Sequence, residues 1–276
     1  MSYVVAVANQ KGGVGKTTTV VNLAAVLAAN RKTVLVIDLD PQANATSGLG
    51  VEPQSGVSLY PALIDTANVD DVIVGTAIEN VNIIPAEVNL AGAEIEIARM
   101  PNHLHGLKKV LDPIKQASVF DFIIIDCPPS LGILMSNALA AADCVLIPMQ
   151  CEYYAMEGLS VITGLVERMR SSGANPNLRI NGILMTMYGR TRLADDVVEQ
   201  VQNHYGDAVY TAIIPRSIRA GEAPSFGLPV VVYAPTSTVS EGYVKFGKEF
   251  LARNKARVMA EMKVDLPPQP ASSGLA

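Results

Sequence analysis

Glycines and lysines are concentrated near the N-terminus, in the stretch NQKGGVGKTTT at residues 9–19. Glycines let a backbone turn tightly and bring its N–H groups close to an anion, and a lysine beside such a turn adds positive charge. The pattern G-x-x-x-x-G-K-[ST] is nearly matched, except that position 10 is glutamine and an additional lysine, Lys11, follows it. We therefore predict a phosphate-binding loop formed by Gly12, Gly13, Val14, Gly15, Lys16, Thr17 and Thr18.

The segments on both sides of this loop support the prediction. The apolar run YVVAVA (3–8) predicts a buried strand, and residues 16–30 predict a helix that begins at the loop lysine. A strand, a glycine loop and a helix in this order place free N–H groups and the positive end of the helix dipole at one point. We expect Lys16 to reach the β- and γ-phosphates of a nucleotide and the Thr17 hydroxyl to ligate Mg²⁺.

Carboxylates follow two other apolar runs. In FIIIDCPPS, four apolar residues place Asp126 at the carboxyl end of a buried strand, where open α/β sheets bind ligands, and we expect it to hold Mg²⁺ through a water. Asp121 opens the same strand and is interpreted as a surface residue. In VLVIDLDPQ, we assign Asp40 to orienting the attacking water, because Pro41 makes the chain leave the sheet there. Asp38 is still inside the strand and is interpreted as structural or as a helper to the metal shell.

Strands and helices alternate along most of the chain. Such alternation predicts an α/β fold: a mostly parallel, twisted sheet with helices on both faces. We expect a single domain over residues 1–264 and a disordered Pro/Ser/Gly-rich tail over 265–276. Further strands are predicted at 33–38, 81–86, 120–126, 144–149, 180–187 and 210–215, and further helices at 103–116, 132–142, 156–171 and 192–205.

The composition excludes several classes of protein. The 276 residues carry a net charge of −5, which argues against a simple polycation, and no apolar run approaches the length of a membrane span. Cys127, Cys144 and Cys151 lack the spacing of zinc ligands, and no secretion signal precedes the first strand. We expect a cytoplasmic protein with reduced cysteines.

The motifs together resemble one family. KGGVGKTTT is similar to the deviant Walker A sequence of the ParA/MinD group of P-loop ATPases, which have the SIMIBI type of fold. DLDPQANATSGLG, DCPPSLGILMSNAL, PMQCEYYAMEGL and IIPRSIRAGEAPSFGLP resemble the corresponding stretches of ParA/Soj chromosome- and plasmid-partition ATPases. The resemblance extends from about Tyr3 to about Ala252.

The resemblance implies ATP and Mg²⁺ as cofactors and a sandwich homodimer around two ATP molecules. It assigns Lys11 to the phosphates of the partner subunit's nucleotide, where the lysine would act like an arginine finger, and Glu152 to receiving Lys11 across the interface. It likewise supports Asp40 as the residue that activates or orients water and places Thr18 beside the α-phosphate. Pro215 and Arg216 are placed near the adenine, although Ser217 stands where the family often has asparagine.

The resemblance also implies that the ATP-bound dimer binds DNA without sequence preference on the nucleoid and releases it when a ParB-like partner stimulates hydrolysis. Such binding requires Arg or Lys contacts to phosphates rather than to bases. Arg190 and Arg219 match the family's DNA-contacting arginines. Position and charge alone add Arg192, Lys245, Lys248 and Arg253 as candidates. Because the first strand starts at Tyr3, we expect no N-terminal operator-binding module.

Several alternatives share parts of this pattern. A MinD-like regulator would end in an amphipathic membrane helix, but Tyr243, Phe246, Phe250 and Leu251 on one side of the last helix favour core packing, so we expect no membrane partner. An iron–sulfur carrier would need a pair of cysteines at CxxC spacing, and a P-loop metabolic synthetase has no substrate motif here. A nucleotide-binding module without turnover is disfavoured by Asp40. A cargo other than DNA, positioned by the same mechanism, stays open.

Overall fold

The computed structural model describes residues 2–64, 66–152 and 155–262, and within them the predicted α/β fold is confirmed. Eight strands form one sheet in the order β3-β4-β2-β5-β1-β6-β7-β8, and all neighbouring pairs are parallel except β3 with β4. The strands are β1 (Tyr3–Val7), β2 (Val34–Asp38), β3 (Val74–Gly75), β4 (Val81–Ile84), β5 (Phe122–Asp126), β6 (Cys144–Gln150), β7 (Arg179–Tyr188) and β8 (Val209–Pro215).

Helices cover both faces of the sheet. They are α1 (Lys16–Ala29), α2 (Asn44–Gly48), α3 (Leu59–Leu63), α4 (Leu90–Arg99), α5 (Gly106–Ala117), α6 (Ile133–Ala141), α7 (Ala155–Ser171), α8 (Arg192–Tyr205), α9 (Ile218–Glu222), α10 (Val230–Tyr233) and α11 (Thr238–Met262). Short 3₁₀ helices lie at 69–72, 206–208 and 223–226.

Two hydrophobic cores lie on opposite faces of the sheet. In β1, Val4 and Ala6 point into the core under helices α3 to α8, whereas Tyr3, Val5 and Val7 point into the core under α1, α2, α10 and α11. This alternation follows from the two-residue period of a strand. Because both faces are buried, the central strands are apolar throughout, and their polar residues are confined to the ends.

The last helix packs as the sequence predicted. Tyr243, Phe246 and Phe250 are buried in the core shared with α1, and Leu251 is partly buried against it. A Cβ atom at Gly247 would lie 2.4 Å from Val26 Cγ1, so the glycine permits close contact between the two helices. None of the described helices combines the length and the apolar character that crossing a bilayer requires.

The element boundaries differ from prediction mainly at prolines and short segments. Strand β4 ends at Ile84, because Pro85 follows and a proline cannot donate to a sheet ladder. The antiparallel edge strand β3 and the helices α2, α3, α4, α9 and α10 were not predicted, since most of them are too short to show a hydrophobic period. The predicted tail at 265–276 lies outside the described residues.

Candidate functional site

The carboxyl ends of four central strands meet at one edge of the sheet. Strand β1 lies between β5 and β6, so the loop that follows β1 lies between Asp126 at the end of β5 and Gln150 at the end of β6. Asp38 and Asp126 are register partners at the ends of β2 and β5. The fold therefore brings the predicted loop and both predicted carboxylate strands together.

The glycines shape the loop as the motif requires. Gly13 and Gly15 have φ angles of 73° and 84°, in the left-handed region where a side chain would be strained. Gly15 is the N-cap of α1, which starts at Lys16. The N–H groups of the first helical turn and the positive end of the helix dipole therefore point to the place where the motif predicts phosphates.

Residues that the sequence reasoning missed anchor this loop. Gln150 Nε2 donates to the Gly13 carbonyl oxygen at 2.9 Å, and Thr186 Oγ1 donates to the Val14 carbonyl oxygen at 2.8 Å. Asn9 Nδ2 donates to the Pro148 carbonyl oxygen at 2.7 Å, while Asn9 Oδ1 accepts from Lys11 N at 3.0 Å. The only sequence signal was a polar residue near the end of an otherwise apolar strand.

Lys16 is buried beside the carboxylates. Its Nζ donates to the carbonyl oxygen of Lys11 at 3.2 Å. Burial lowers the pKa of Lys16, and the negative charge of Asp126 opposes this shift. A buried ammonium group beside a glycine loop is suited to binding an anion. The negative charge of the anion would restore the electrostatic stabilisation that the ammonium group loses on burial.

Asp126 is fully buried and only partly hydrogen-bonded. Its Oδ2 accepts from Thr17 Oγ1 at 2.7 Å, whereas its Oδ1 has no hydrogen-bond partner among the described residues. Burial raises the pKa of Asp126 well above its usual range, and the neighbouring Asp38 adds to the shift. A hydroxyl and a buried carboxylate with an unused oxygen form a set of hard oxygen donors that fits Mg²⁺ and its waters.

Asp38 and Asp40 have different surroundings. The Asp38 carboxylate is buried and accepts from Thr46 N, Thr46 Oγ1 and Asp40 N at 2.8, 2.7 and 3.2 Å. Burial raises its pKa to about 6 although the bonds from Thr46 oppose the shift. Asp40 is half-buried, and among the described residues its Oδ1 accepts only from Gln42 N, at 3.0 Å. Asp38 thus stabilises the backbone at Asp40 and Thr46, whereas the side chain of Asp40 lies at the edge of the site.

Lys11 lies at the outer rim of the loop. Its Nζ forms an ion pair with Glu152 Oε2 of the same chain at 2.7 Å, and Arg216 Nη2 lies 3.8 Å from Glu152 Oε1. Both partners of the shorter pair are substantially exposed. A single chain does not test the contact across an interface, which stays a prediction for Lys11 and Glu152.

A cavity of about 280 Å³ opens beside the loop. It extends from Gly15 and Thr18 to Pro215 and Arg216 at the end of β8, with Met187 on its wall. The two residues predicted to lie near a base therefore lie next to the predicted phosphate loop. Ser217, which stands where the family often has asparagine, also lines this cavity.

Comparison with known proteins agrees with this geometry. A family model described as "AAA domain" matches residues 2–180. The sporulation initiation inhibitor protein Soj of Bacillus subtilis is 49% identical over 254 residues, covering 91% of this chain and 99% of that protein. The chromosome partitioning protein ParA of Caulobacter vibrioides is 44% identical over 256 residues, covering 92% and 96% of the two chains. The chain belongs to the ParA/Soj family of partition ATPases.

A solved structure with the same fold shows which ligands one such protein binds. Cobyrinic acid a,c-diamide synthase from Mycobacterium smegmatis, with bound ADP and magnesium, is 35% identical and covers 93% of this chain and 97% of its own, with a TM-score of 0.80. That protein binds a nucleotide and a magnesium ion on the fold that this ParA/Soj family member shares.

The arginines predicted to contact DNA occupy different places in this ParA/Soj fold. Arg190 follows β7 and Arg219 lies on α9 after β8, so both are at the carboxyl edge and exposed, and Arg219 Nη1 pairs with Glu222 Oε2 at 2.9 Å. Arg253 is at the opposite edge, where it donates to the carbonyl oxygens of Asp207 and Val209. Its guanidinium also pairs with a carboxylate and covers a tyrosine ring at 4.0 Å. This geometry makes Arg253 a structural residue and argues against it as a DNA contact.

Proposed function

We propose that this protein is an ATP-dependent partition switch in the cytoplasm. It binds ATP with Mg²⁺, forms a homodimer in the ATP state, and then binds DNA of the nucleoid without sequence preference. A ParB-like partner stimulates its slow ATP hydrolysis and releases the DNA. The observation that carries this proposal is the set of buried Lys16 and Asp126 with the Thr17 hydroxyl at a glycine loop, in a chain 49% identical to Soj.

The nucleotide is bound by groups already placed around the loop. The N–H groups from Gly12 to Thr18 and the Lys16 ammonium bind its phosphates, and the cavity at Pro215 and Arg216 accepts the base. Thr17 Oγ1 and Asp126, the latter through a water, hold Mg²⁺, which neutralises charge on the phosphates.

Hydrolysis requires a positioned water and compensation of developing charge. Asp40 orients the attacking water from the rim of the site, where only one of its carboxylate oxygens is hydrogen-bonded to the described chain. Lys16 stabilises charge on the phosphates of its own subunit. Lys11 exchanges its pairing with Glu152 of its own chain for the phosphates and Glu152 of the partner subunit when the dimer forms.

DNA is bound by arginines at the same edge of the sheet. Arg190 and Arg219 are exposed and follow neighbouring strands, so a dimer presents each of them twice. Phosphate contacts of this kind release counterions, and the affinity for DNA should therefore fall steeply with salt.

The decisive experiment measures binding to a random-sequence DNA duplex with ATP, with ADP and without nucleotide. Wild type is compared with Lys16→Ala, which removes the buried ammonium, and with Arg219→Glu, which reverses an exposed charge. Arg168→Glu serves as a matched charge reversal, because Arg168 is an exposed arginine on α7 that is not among the predicted DNA contacts.

We expect binding with ATP only, lost in Lys16→Ala and strongly reduced in Arg219→Glu. Dimerisation without DNA binding would keep the ATPase and overturn the DNA assignment, and a liposome sedimentation assay would follow. Equal DNA affinity in all nucleotide states would overturn the switch itself.

A further inference from the structure

Met187 has a backbone conformation that is unusual for its place in the fold. Its φ angle is 50°, in the left-handed region, where a side chain other than that of asparagine or aspartate is rarely found. Met187 lies inside a strand, one residue before the end of β7. The other described non-glycine residues with positive φ angles lie in turns or at helix ends, namely Arg31, Ala43, Asn80, Asn102 and Ser118. Strain of this kind persists only where the surrounding structure imposes it, and it clusters at functional sites.

The kink at Met187 coincides with an irregularity in the pairing of β7 with β8. Met185 is paired with Ile213 and Tyr188 with Pro215, so three steps along β7 match two steps along β8. The additional residue bends the end of β7, as a β-bulge does. Met187 also lines the cavity of about 280 Å³ beside the glycine loop, so the kink lies at the wall of the proposed base site.

The two neighbours of Met187 in the chain hold different parts of the proposed nucleotide site. Thr186 Oγ1 donates to the carbonyl oxygen of Val14, on the glycine loop, at 2.8 Å. The Tyr188 carbonyl oxygen accepts from Arg216 N at 3.0 Å, beside the cavity proposed to accept the base. Met187 therefore joins the segment that holds the phosphate loop to the segment that holds the base side of the site.

The side chain of Met187 adds a second connection to the loop. Its Sδ accepts from Gln150 Nε2 at 2.8 Å, and the same nitrogen donates to the Gly13 carbonyl oxygen. The methyl carbon of Met187 lies 3.9 Å from the point that a Cβ atom of Gly15 would occupy. The thioether thus contacts the loop through its methyl group, while its sulfur accepts a hydrogen bond from a buried amide that also anchors the loop.

From this geometry we infer that Met187 is a positioning residue for the nucleotide. Its left-handed kink fixes the cavity at Pro215 and Arg216 relative to the phosphate loop, so that the base and the phosphates are bound in one arrangement. Such preorganisation raises affinity, because the protein does not have to rearrange when the ligand binds. The inference rests on the proposed function, since it assigns a role within the proposed ATP site.

Two substitutions at Met187 separate the role of its backbone from that of its side chain. If the residue acted only through apolar contact with the base, valine would serve better than glycine. If its backbone conformation is what matters, glycine serves better, because glycine adopts positive φ angles freely whereas a β-branched residue is an outlier there. The order of ATP affinity in Met187→Val and Met187→Gly therefore distinguishes the two roles.

The test compares the binding of ATP with that of tripolyphosphate, which carries the phosphates but no base. Displacement of a fluorescent ATP analogue from the full chain gives both affinities, kcat and KM for ATP are measured alongside, and urea melts establish that each variant is folded. Met187→Leu is added because it keeps an apolar side chain and removes the sulfur. Ser118→Val is the matched control, because Ser118 has a φ angle of 55° at the end of α5, outside the site.

We expect ATP affinity to fall about tenfold in Met187→Val, about threefold in Met187→Gly and about twofold in Met187→Leu, with KM rising in step and kcat nearly constant. Tripolyphosphate affinity should stay at the wild-type value in all three, because the phosphate loop itself is intact. Ser118→Val should lower the free energy of unfolding and leave both affinities unchanged. ATP binding by Met187→Val that equals or exceeds that of Met187→Gly, or an equal loss of ATP and tripolyphosphate binding, would overturn the inference.

Met187→Gly keeps the inference testable if Met187→Val does not fold. A loss of ATP affinity well above about tenfold in Met187→Gly would assign the role to the side chain and overturn the role of the kink. Wild type that binds neither ATP nor tripolyphosphate would contradict the proposed function itself. Wild type that binds both, with no difference among the Met187 variants, would contradict only the role of Met187.

Discussion

At the amino edge of the sheet, carboxylates are paired and hydrogen-bonded. Asp121 accepts from Thr33 N and pairs with Lys32, and Asp143 accepts from Val4 N and pairs with Lys115. Asp121 was interpreted as a surface residue, but it ties β5 to the start of β2. Glu249 and Arg253 connect α11 to the start of β8 in the same way.

At the carboxyl edge the charges are deeply buried and less completely satisfied. Lys16 has a lowered pKa because of burial, while Asp126 has a raised one for the same reason and keeps one oxygen without a partner among the described residues. Two cavities of about 830 and 660 Å³, larger than the one beside the loop, lie at the amino edge. Cavity size alone would therefore place a ligand site at the amino edge. The buried and incompletely paired charges instead place the candidate site at the carboxyl edge.

The largest expected effect is on turnover, from a change at the rim of the carboxyl edge. Asp40→Asn should lower kcat for ATP by about a hundredfold, because it removes the carboxylate that we propose to orient the attacking water. Its affinity for ATP should change little, since Asp40 lies beyond the loop proposed to bind the phosphates. Single-turnover kinetics together with equilibrium binding of a fluorescent ATP analogue separate the two. Asp196→Asn, an exposed carboxylate on α8, is the control; equal kcat in both variants would contradict the role of Asp40.

One arginine at each edge allows DNA binding and stability to be tested separately for the two edges. Arg219→Ala should weaken DNA binding about tenfold at moderate salt and leave the free energy of unfolding unchanged, because the side chain is exposed. Arg253→Ala should leave DNA binding unchanged and lower the free energy of unfolding by about 1–3 kcal/mol, because its partners include two backbone carbonyls and a carboxylate. DNA titrations and urea melts of both variants check this; a common loss in both measurements would remove the distinction between the edges.

Neutralising one carboxylate at each edge should change the free energy of unfolding in opposite directions. Asp126→Asn should raise the free energy of unfolding by about 1–3 kcal/mol at pH 7.5 without nucleotide, because it removes a buried charge whose pKa is raised. Asp121→Asn should lower it, because the ion pair with Lys32 is lost.

The pH dependence has a definite sign. A carboxyl whose pKa is higher in the folded state binds protons more tightly there, so its contribution makes the protein more stable as the pH falls. For Asp38 this gain occurs as the pH falls through about 6 toward the ordinary value of 3.8. Urea melts at pH 7.5 and pH 5 should show a smaller advantage of Asp126→Asn at the lower pH; an advantage that grows on acidification would contradict the assignment.

The sequence predicted the central strands and the motif residues because their signals are local. An apolar run before KGGVGKTTT, or before Asp126, is visible in a window of a few residues. Glu94 beside Gly132, Thr46 beside Ala86 and Gln150 beneath Gly13 are contacts between distant segments, and no motif or period records them. Arg253 illustrates the opposite error. Its charge and position suggested a DNA contact, whereas in the fold its guanidinium anchors β8.

The smallest expected effect concerns the anchors that the sequence did not reveal. Thr186→Val removes one hydrogen bond to the Val14 carbonyl oxygen, worth about 0.5–1.5 kcal/mol, so the KM for ATP should rise about two- to tenfold with kcat nearly unchanged. Thr163→Val is a matched control on α7, where the hydroxyl only bonds back to its own helix. If kcat fell as much as KM rose, Thr186 would act on the reacting groups rather than on the loop, and the carboxyl edge would have one more functional residue than assigned here.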